Sequence, residues 1–490
     1  MKRYIIGLDE GTTSARTVIY DTVENKIVIA VNEKFKQYFP KPGWVEHDAN
    51  EIWQVQEKTM LSAIRQSKIK ADEIIGIGIT NQRESIVAWD RNTGEPICPS
   101  IVWQCRRTAK YCDSINKKMR NYIKETTGLI VDAYFSATKI KWVLDNVPKA
   151  KQLLSQNRLC VGTIDSFLAF RLTKGEKFIT DSSNASRTML FNIKTLTWDK
   201  KLLDFFGIPE SILPEVVSNG KELGIAYTKY GELPIGSILG DQQSSLFGLG
   251  CVEKGLAKAT YGTGCFILSN TGDKLVHNDK LLSTIAWTIG NKTTYALEGS
   301  IFNAGTIINW MIDDMQMLAS NQESSDICKK IGTTDGVYFV PAFTGMGAPY
   351  WNQYCTGNIS GITRGTKREH IIRAGLESMA YNTYDIIDCM NDGTTKVKEL
   401  RVDGGVSRND FLMQFQSDIL NKNVVKTDTS EGTVLGTIYM TALSLGTLTN
   451  IQEVKDKFIV GKTYENTMNK TTRQQLLHNW HLAVKRTIGE

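Results

Sequence analysis

Several chemistries lack their residues in this chain. The five histidines (His47, His277, His370, His478 and His481) show no zinc-binding spacing, so metal hydrolase chemistry has little support. The nine cysteines include no Cys-x-x-Cys pair, and an odd number cannot all pair. Buried free thiols in a reducing cytoplasm are therefore expected. No apolar run approaches the roughly 18–20 residues of a membrane span. The start, Met1-Lys2-Arg3-Tyr4 before a short apolar run ending at Asp9, is too soon charged for a signal peptide. Neither a His-Arg-Asp loop nor an Asp-Phe-Gly triplet occurs, which sets protein kinases aside. Charge is nearly balanced: 58 basic against 52 acidic residues leave +6. That suits an anionic small ligand but is too little to argue for nucleic acid.

What is present is an ordinary globular composition, 41% hydrophobic and 22% charged, over 490 residues. Two or three domains are the natural expectation at that length. Strand-like Tyr4–Leu8, the Gly/Thr/Ser-rich run Asp9–Arg16 and strand-like Thr17–Tyr20 open the chain, and Lys26–Val31 reads as a further strand. Asp48 and Glu51 read as the capping box of an amphipathic helix carrying Ile52, Val55, Met60 and Ile64. Ile74–Thr80 reads as a buried strand. The second half repeats the theme with Lys258–Thr260, the turn Tyr261–Gly264 and Cys265–Leu268. Thr366 and Glu369 read as a capping box for a long helix, and Leu400–Val402 as a short strand. Alternating elements of this kind predict an α/β architecture. No linker divides it, and the boundary is expected near Gly248–Lys258, giving domains 1–250 and 251–490.

Four places could carry chemistry. In Asp9-Glu10-Gly11-Thr12-Thr13-Ser14-Ala15-Arg16, a glycine turn exposes backbone N–H groups, three hydroxyls add donors and Arg16 adds charge. A polyphosphate requires such a set, and Asp9 suits a hydrated Mg²⁺. Composition equally allows a plain hairpin, and the run lacks the Gly-Lys-Ser/Thr ending of a Walker A loop. Arg83-Glu84 follows an apolar strand. The pair suits a polyol, whose hydroxyls donate and accept, or a simple surface ion pair. Trp103 and Tyr134 could form a sugar platform or serve structure alone. Asp241, in Leu239-Gly240-Asp241-Gln242-Gln243 after an apolar strand, could take a proton from a substrate hydroxyl or be a turn residue.

Together these segments resemble the FGGY carbohydrate kinases, and within them the members that act on glycerol. The match runs through Asp9–Arg16, Asn81–Glu84, Ile101–Thr108, Gly240–Gln243, Thr260–Phe266, Pro341–Trp351 and Arg401–Gly405, in the family's order. Tyr134–Asn146 and Gly357–Glu377 look like its two signatures, with Gly375 unusual at its place. The resemblance implies two ribonuclease-H/actin-like domains with an active-site cleft between them. The first would hold substrate and one phosphate loop, the second the nucleotide. It implies ATP and Mg²⁺ as cofactors, glycerol as acceptor, and Asp241 as general base. Substrate would meet Arg83, Glu84, Trp103, Tyr134, Asp241, Gln242 and Phe266. The nucleotide would meet Thr12, Thr13, Ser14, Arg16, Thr263, Gly264, Gly305, Asn309, Gly405 and Asn409. Asp9, with Asp241, would face the metal. A cytoplasmic homodimer or homotetramer is the implied form.

Three positions depart from the family's pattern. Glu10 replaces a common glutamine and is expected to add negative charge beside the phosphate loop. Asn309 is shorter than the usual glutamine, and Asn352 stands where aspartate is typical. Gly224–Pro234 lacks the Gly-Gly-x-x-Arg loop linked to fructose-bisphosphate inhibition and holds no histidine, so neither that control nor phosphotransfer activation is expected. Two other readings stay open: a kinase for another small polyol or ketose, and a non-catalytic actin-fold sensor or scaffold.

Overall fold

The computed structural model describes residues 2–391, 395–429 and 431–489. In the first half, apolar and β-branched runs form β1 (Tyr4–Glu10), β2 (Ser14–Asp21), β3 (Lys26–Lys34), β4 (Ile74–Asn81), β5 (Gly224–Thr228) and β6 (Gly231–Gly240). They make one sheet in the order β5-β6-β4-β1-β2-β3. β1, β2 and β3 are an antiparallel meander, while β4 runs parallel to β1, and β6 to β4. All eight residues of β4 are buried, as a parallel strand covered on both faces requires.

The second half uses the same wiring. Its strands are β7 (Leu256–Tyr261), β8 (Cys265–Gly272), β9 (Leu282–Ile289), β10 (Lys292–Ile301), β11 (Glu399–Asp403), β12 (Val424–Thr427) and β13 (Val460–Tyr464). The order is β9-β10-β8-β7-β11-β12-β13. β7, β8 and β10 form the antiparallel run, with β11 and β12 parallel beside β7. The chain is thus α/β, with the ribonuclease-H/actin-like arrangement built twice. Residues 249–255 link the two sheets. A smaller five-stranded sheet in the first half contains Ile86–Asp90 and Ser100–Ile101, which seat Arg83-Glu84 and Trp103 beside them.

The helices that matter are α1 (Ala49–Ser67), α2 (Asp241–Gly248), α3 (Asn321–Lys330), α4 (Arg368–Met390), α5 (Asp410–Leu420) and α6 (Gly432–Ser444). Asp48 caps α1, accepting the N–H groups of Asn50 and Glu51. The other half of the expected box does not form, because Glu51 instead accepts the Lys36 N–H at 2.9 Å. The expected cap of α4 is displaced as well. The Thr366 hydroxyl turns back to take the Thr363 N–H, so the helix starts at Arg368 and His370 Nδ1 accepts the Lys367 N–H at 3.1 Å. Its anticipated face of Ile372, Leu376, Met379, Ala380, Thr383 and Ile387 is buried. Gly375 sits where Met311 Cε would come within 2.4 Å of an added Cβ, so the methionine fills the space a side chain would need.

Two helices exchange sides. α2 follows the first sheet yet packs on β7 and β8, and α6 crosses back from the second half to lie on β1, β4 and β6. Ile5, Val18, Leu246, Phe247, Trp287, Val434 and Ile438 form one apolar cluster from both halves. The backbones nearly touch: a Cβ on Gly436 would lie 1.8 Å from the Ser244 carbonyl oxygen, and one on Gly248 would lie 2.0 Å from that of Gly432. The Ser237 hydroxyl bonds those of Thr437 and Thr441 at 2.7 and 2.8 Å. Among the described residues no helix is long and apolar enough to cross a membrane.

Because the contact at Gly436 is backbone against backbone, no rotamer change can relieve it. Gly436→Ala is expected to cost at least about 2 kcal/mol in urea unfolding, and an unchanged midpoint would show that α2 and α6 are not in this contact.

Candidate active site

The carboxyl ends of β1, β4, β6, β7 and β11 meet between the two sheets, where open α/β sheets present ligands. Asp241 is the first residue of α2, with Gly240 as its N-cap, rather than a turn residue. The helix's positive end favours a carboxylate there. One Asp241 oxygen accepts the Gln242 N–H at 2.7 Å and lies 3.1 Å from Arg83 Nε. The other accepts from the Gln242 amide at 3.2 Å. Its side chain is 26% exposed, whereas those of Arg83 and Glu84 are each at 2%. The acid is held from behind and open in front.

Arg83 and Glu84 are not a surface pair. Glu84 sits in the left-handed region at φ 62°, a strained place for a non-glycine residue. Arg83 donates to Glu298 at 2.6 and 3.0 Å and to Gln243 at 3.2 Å. Arg187 donates to Glu84 at 2.6 Å and to Glu298 at 3.0 Å. Two arginines and two glutamates are thus buried together, and Glu298 reaches them from β10 of the second sheet. Burial disfavours the Glu298 carboxylate, but Arg187 and Arg83 outweigh it and hold its pKa down at about 2. Arg187 and Glu298 went unremarked in the sequence, although a charge inside an apolar strand (Leu297-Glu298-Gly299) is itself a signal.

Trp103 meets Tyr134 edge-on at 5.5 Å and Phe266 at 6.2 Å, forming a three-ring wall. The Trp103 indole N–H donates to the Thr12 hydroxyl at 3.0 Å, so this wall is tied to the first phosphate loop. Burial and Glu84 push the Tyr134 phenol up, keeping it a donor. Gln242 accepts a hydrogen bond from Lys258, a fully buried lysine on β7.

The glycine-rich run from Asp9 to Arg16 is mostly strand. Only Gly11, Thr12 and Thr13 lie outside β1 and β2, closed by a Gly11 N–H bond to the Ser14 carbonyl at 3.0 Å. Ser14 opens β2 and Thr13 is exposed at the tip. The corresponding hairpin of the second sheet exposes Thr263, with Gly264 just before β8. Arg16 pairs with Glu431, just before α6, at 2.6 Å. Gly305 donates to the Gly262 carbonyl at 3.0 Å, and Gly404, at φ 92°, packs against the Tyr261 backbone, where a Cβ would clash at 2.3 Å. Gly405 and Asn309 are exposed beside these turns. Asn409 is buried and fully engaged: it caps α5 through the Leu412 N–H and donates to Ser324 at 3.1 Å. A cavity of about 480 Å³ lined by Glu323, Asp326, Lys330 and Arg368 opens on the helix that carries Ser324, but shares no residue with the cluster around Asp241.

The acids around the cleft differ sharply. Burial first, and then Asp241, raise Asp9 to about 7. Burial works against the charge expected of Glu10. It is fully buried, accepts from Gln82 at 2.8 Å, and burial pushes its carboxyl well up towards the neutral form, which a glutamine would resemble. Asn352 does what an aspartate would, its oxygen accepting the Tyr354 and Cys355 N–H groups.

Removing one member of the buried quartet leaves an uncompensated arginine. Glu298→Gln is expected to lower unfolding free energy at pH 7 by about 3–5 kcal/mol. The native carboxyl titrates near 2 against an ordinary 4.5, so its stabilisation is complete above 4.5 and lost as pH falls towards 2. The gap between wild type and variant in urea unfolding should narrow over that window, and a constant gap would contradict the ion pairing.

Comparison with known proteins agrees with this geometry. Residues 4–248 match the N-terminal domain, and residues 257–445 the C-terminal domain, of the FGGY family of carbohydrate kinases. A glycerol kinase of Francisella tularensis subsp. tularensis (strain FSC 198) is 50% identical over 99% of this chain and 98% of its own length. A glycerol kinase of Thermococcus onnurineus (strain NA1) is 48% identical over 100% and 99%. The crystal structure of Plasmodium falciparum glycerol kinase with ADP superposes with a TM-score of 0.92 at 37% identity, covering 99% of this chain and 98% of that one. With both family domains matched in order and relatives of about half identity over the full length, the chain belongs to the FGGY family of carbohydrate kinases.

Proposed function

We propose that this chain transfers the γ-phosphoryl group of ATP to a terminal hydroxyl of glycerol, with Asp241 as general base. The observation that carries the reading is Asp241 itself, an acid partly open to the cleft and backed by Arg83 and Gln242. The wall of Trp103, Tyr134 and Phe266 would suit the carbon side of a three-carbon triol. The hydroxyl to be phosphorylated would give its proton to Asp241 as its bond to phosphorus forms. Arg83 and Glu84, fixed by Glu298 and Arg187, would orient the remaining hydroxyls.

Thr12, Thr13, Ser14 and Arg16 on one side, and Thr263 and Gly264 on the other, would take the phosphates. Gly305, Asn309, Gly405 and Asn409 would line the adenosine end, Asn409 by fixing the α5 terminus. Arg16 would have to exchange Glu431 for phosphate oxygens. Asp9 fits a divalent cation: among the described residues its carboxylate accepts no hydrogen bond, and it faces the charge of Asp241. Mg²⁺ held by Asp9 with Asp241 would supply charge neutralisation on the phosphates. We assign substrate and first phosphate loop to residues 1–250 and nucleotide to 251–490, whose outer ends, 1 and 490, lie outside the described residues. A cytoplasmic homo-oligomer is the proposed form.

A non-catalytic scaffold has no need of a half-open acid beside an aromatic wall. Asp241→Asn should lower kcat by about 10²–10⁴-fold while glycerol binding, read by calorimetry, persists; a fully active variant would remove Asp241 as base. In a coupled assay with glycerol, erythritol, xylulose and dihydroxyacetone, glycerol is expected to give the highest kcat/KM, and preference for the pentulose would overturn the acceptor assignment.

A further inference from the structure

Lys258 has no part in the reaction just described, yet it is a fully buried cation at the edge of the cleft. It stands on β7 of the second sheet, and its ammonium donates to Gln242 Oε1 and, at 2.9 Å, to the Thr260 hydroxyl. An ammonium has only donors to offer. The carboxamide oxygen of Gln242 must therefore face Lys258, and its NH₂ must face the other way. That NH₂ lies 3.2 Å from the second oxygen of Asp241, the one that Arg83 and the Gln242 N–H leave untouched.

We propose that Lys258 is a positioning residue for phosphoryl transfer: it locks the Gln242 carboxamide in the orientation that donates to Asp241, and so aims the base from the opposite domain. Without it the amide is free to turn its oxygen against the carboxylate, which repels. Asp403, on the parallel neighbour β11 and paired in register with Thr260, supplies the counter-charge. One Asp403 oxygen is buried without a hydrogen-bond partner among the described residues. Burial, the largest influence, lowers the Lys258 pKa with help from Arg83, while Asp403 and Asp241 favour the ammonium. Because Lys258 and Gln242 belong to different sheets' elements, the base is fully aimed only while the two are in contact. The inference rests on Asp241 being the base.

Lys258→Met keeps the bulk and removes the donor. The expected result is a kcat lower by about 10- to 100-fold, as for a misaimed catalytic group, with KM for ATP unchanged. Gln242→Met, which leaves Lys258 in place, should lower kcat at saturating glycerol by a like factor. The double variant should lose no more than the worse single one, since both break the same link. A purely structural lysine predicts the opposite: exchange of a buried ion for an apolar side chain is often neutral for stability, kcat stays within about twofold of wild type, and the losses add. Either a near-normal kcat for Lys258→Met or additive losses would overturn the proposal. Should Lys258→Met not fold, a near-normal kcat for Gln242→Met overturns it alone. If Asp241→Asn remains active, the base assignment fails; if that variant is dead while Lys258→Met is near normal, only the role of Lys258 fails.

Discussion

The carboxylate of Glu298 is the contact on which the cleft depends. It enters the first domain from a strand of the second and takes two guanidiniums at once, those of Arg83 and Arg187. Buried ion pairs contribute little net stability, because desolvation offsets their attraction. Their effect here is positional. With both terminal nitrogens of Arg83 turned to Glu298, its Nε faces Asp241. With Arg187 on Glu84, the left-handed backbone at that residue is held against its strain. One acid on the second sheet therefore sets the direction of the groups on the first.

The same interdependence appears in the packing. α2, which carries Asp241, rests on the second sheet, and α6 rests on the first, with glycines where the two helices touch. Small residues permit that approach, and hydroxyls at Ser237, Thr437 and Thr441 satisfy one another where side-chain bulk is excluded. The apolar cluster between them draws on both halves. Any shift of one sheet relative to the other is transmitted to Asp241 by the helix it heads, since packed interiors deform little.

Local signals in the sequence carried far, and long-range ones did not. The two hairpins were legible because glycine and hydroxyl residues announce a turn over a few positions, and strands β1, β4 and β6 because apolar runs end at polar residues. Asp48 announced its helix, but Glu51 found a competing partner in Lys36 that no pattern reveals. Thr366 failed as a cap for the same reason, being spent on Thr363. Arg83 could be singled out, but not its partner 215 residues away. Lys258 looked like one more polar residue in a strand, because burial of its ammonium is decided by Gln242 and Asp403 from other elements. Glu10 read as added charge because formal charge is local information, whereas its ionisation is decided by burial.

In the proposed reaction, Asp241 is the acid left to act because of the surroundings of the others. Glu298 is paired with Arg83 and Arg187, and one oxygen of Glu84 with Arg187. Glu10 is buried beneath Gln82, and burial pushes its carboxyl well up; Asp403 is buried too and faces the charge of Lys258. Asp9 is raised to about 7 by burial and by Asp241, and a cation beside it would relieve that repulsion. Among these acids, Asp241 combines a helix N-terminus, an ion pair with Arg83, hydrogen bonds from Gln242 and a partly open side. Its role follows from this division of surroundings rather than from any property of aspartate, and the residues that enforce the division come from both sheets.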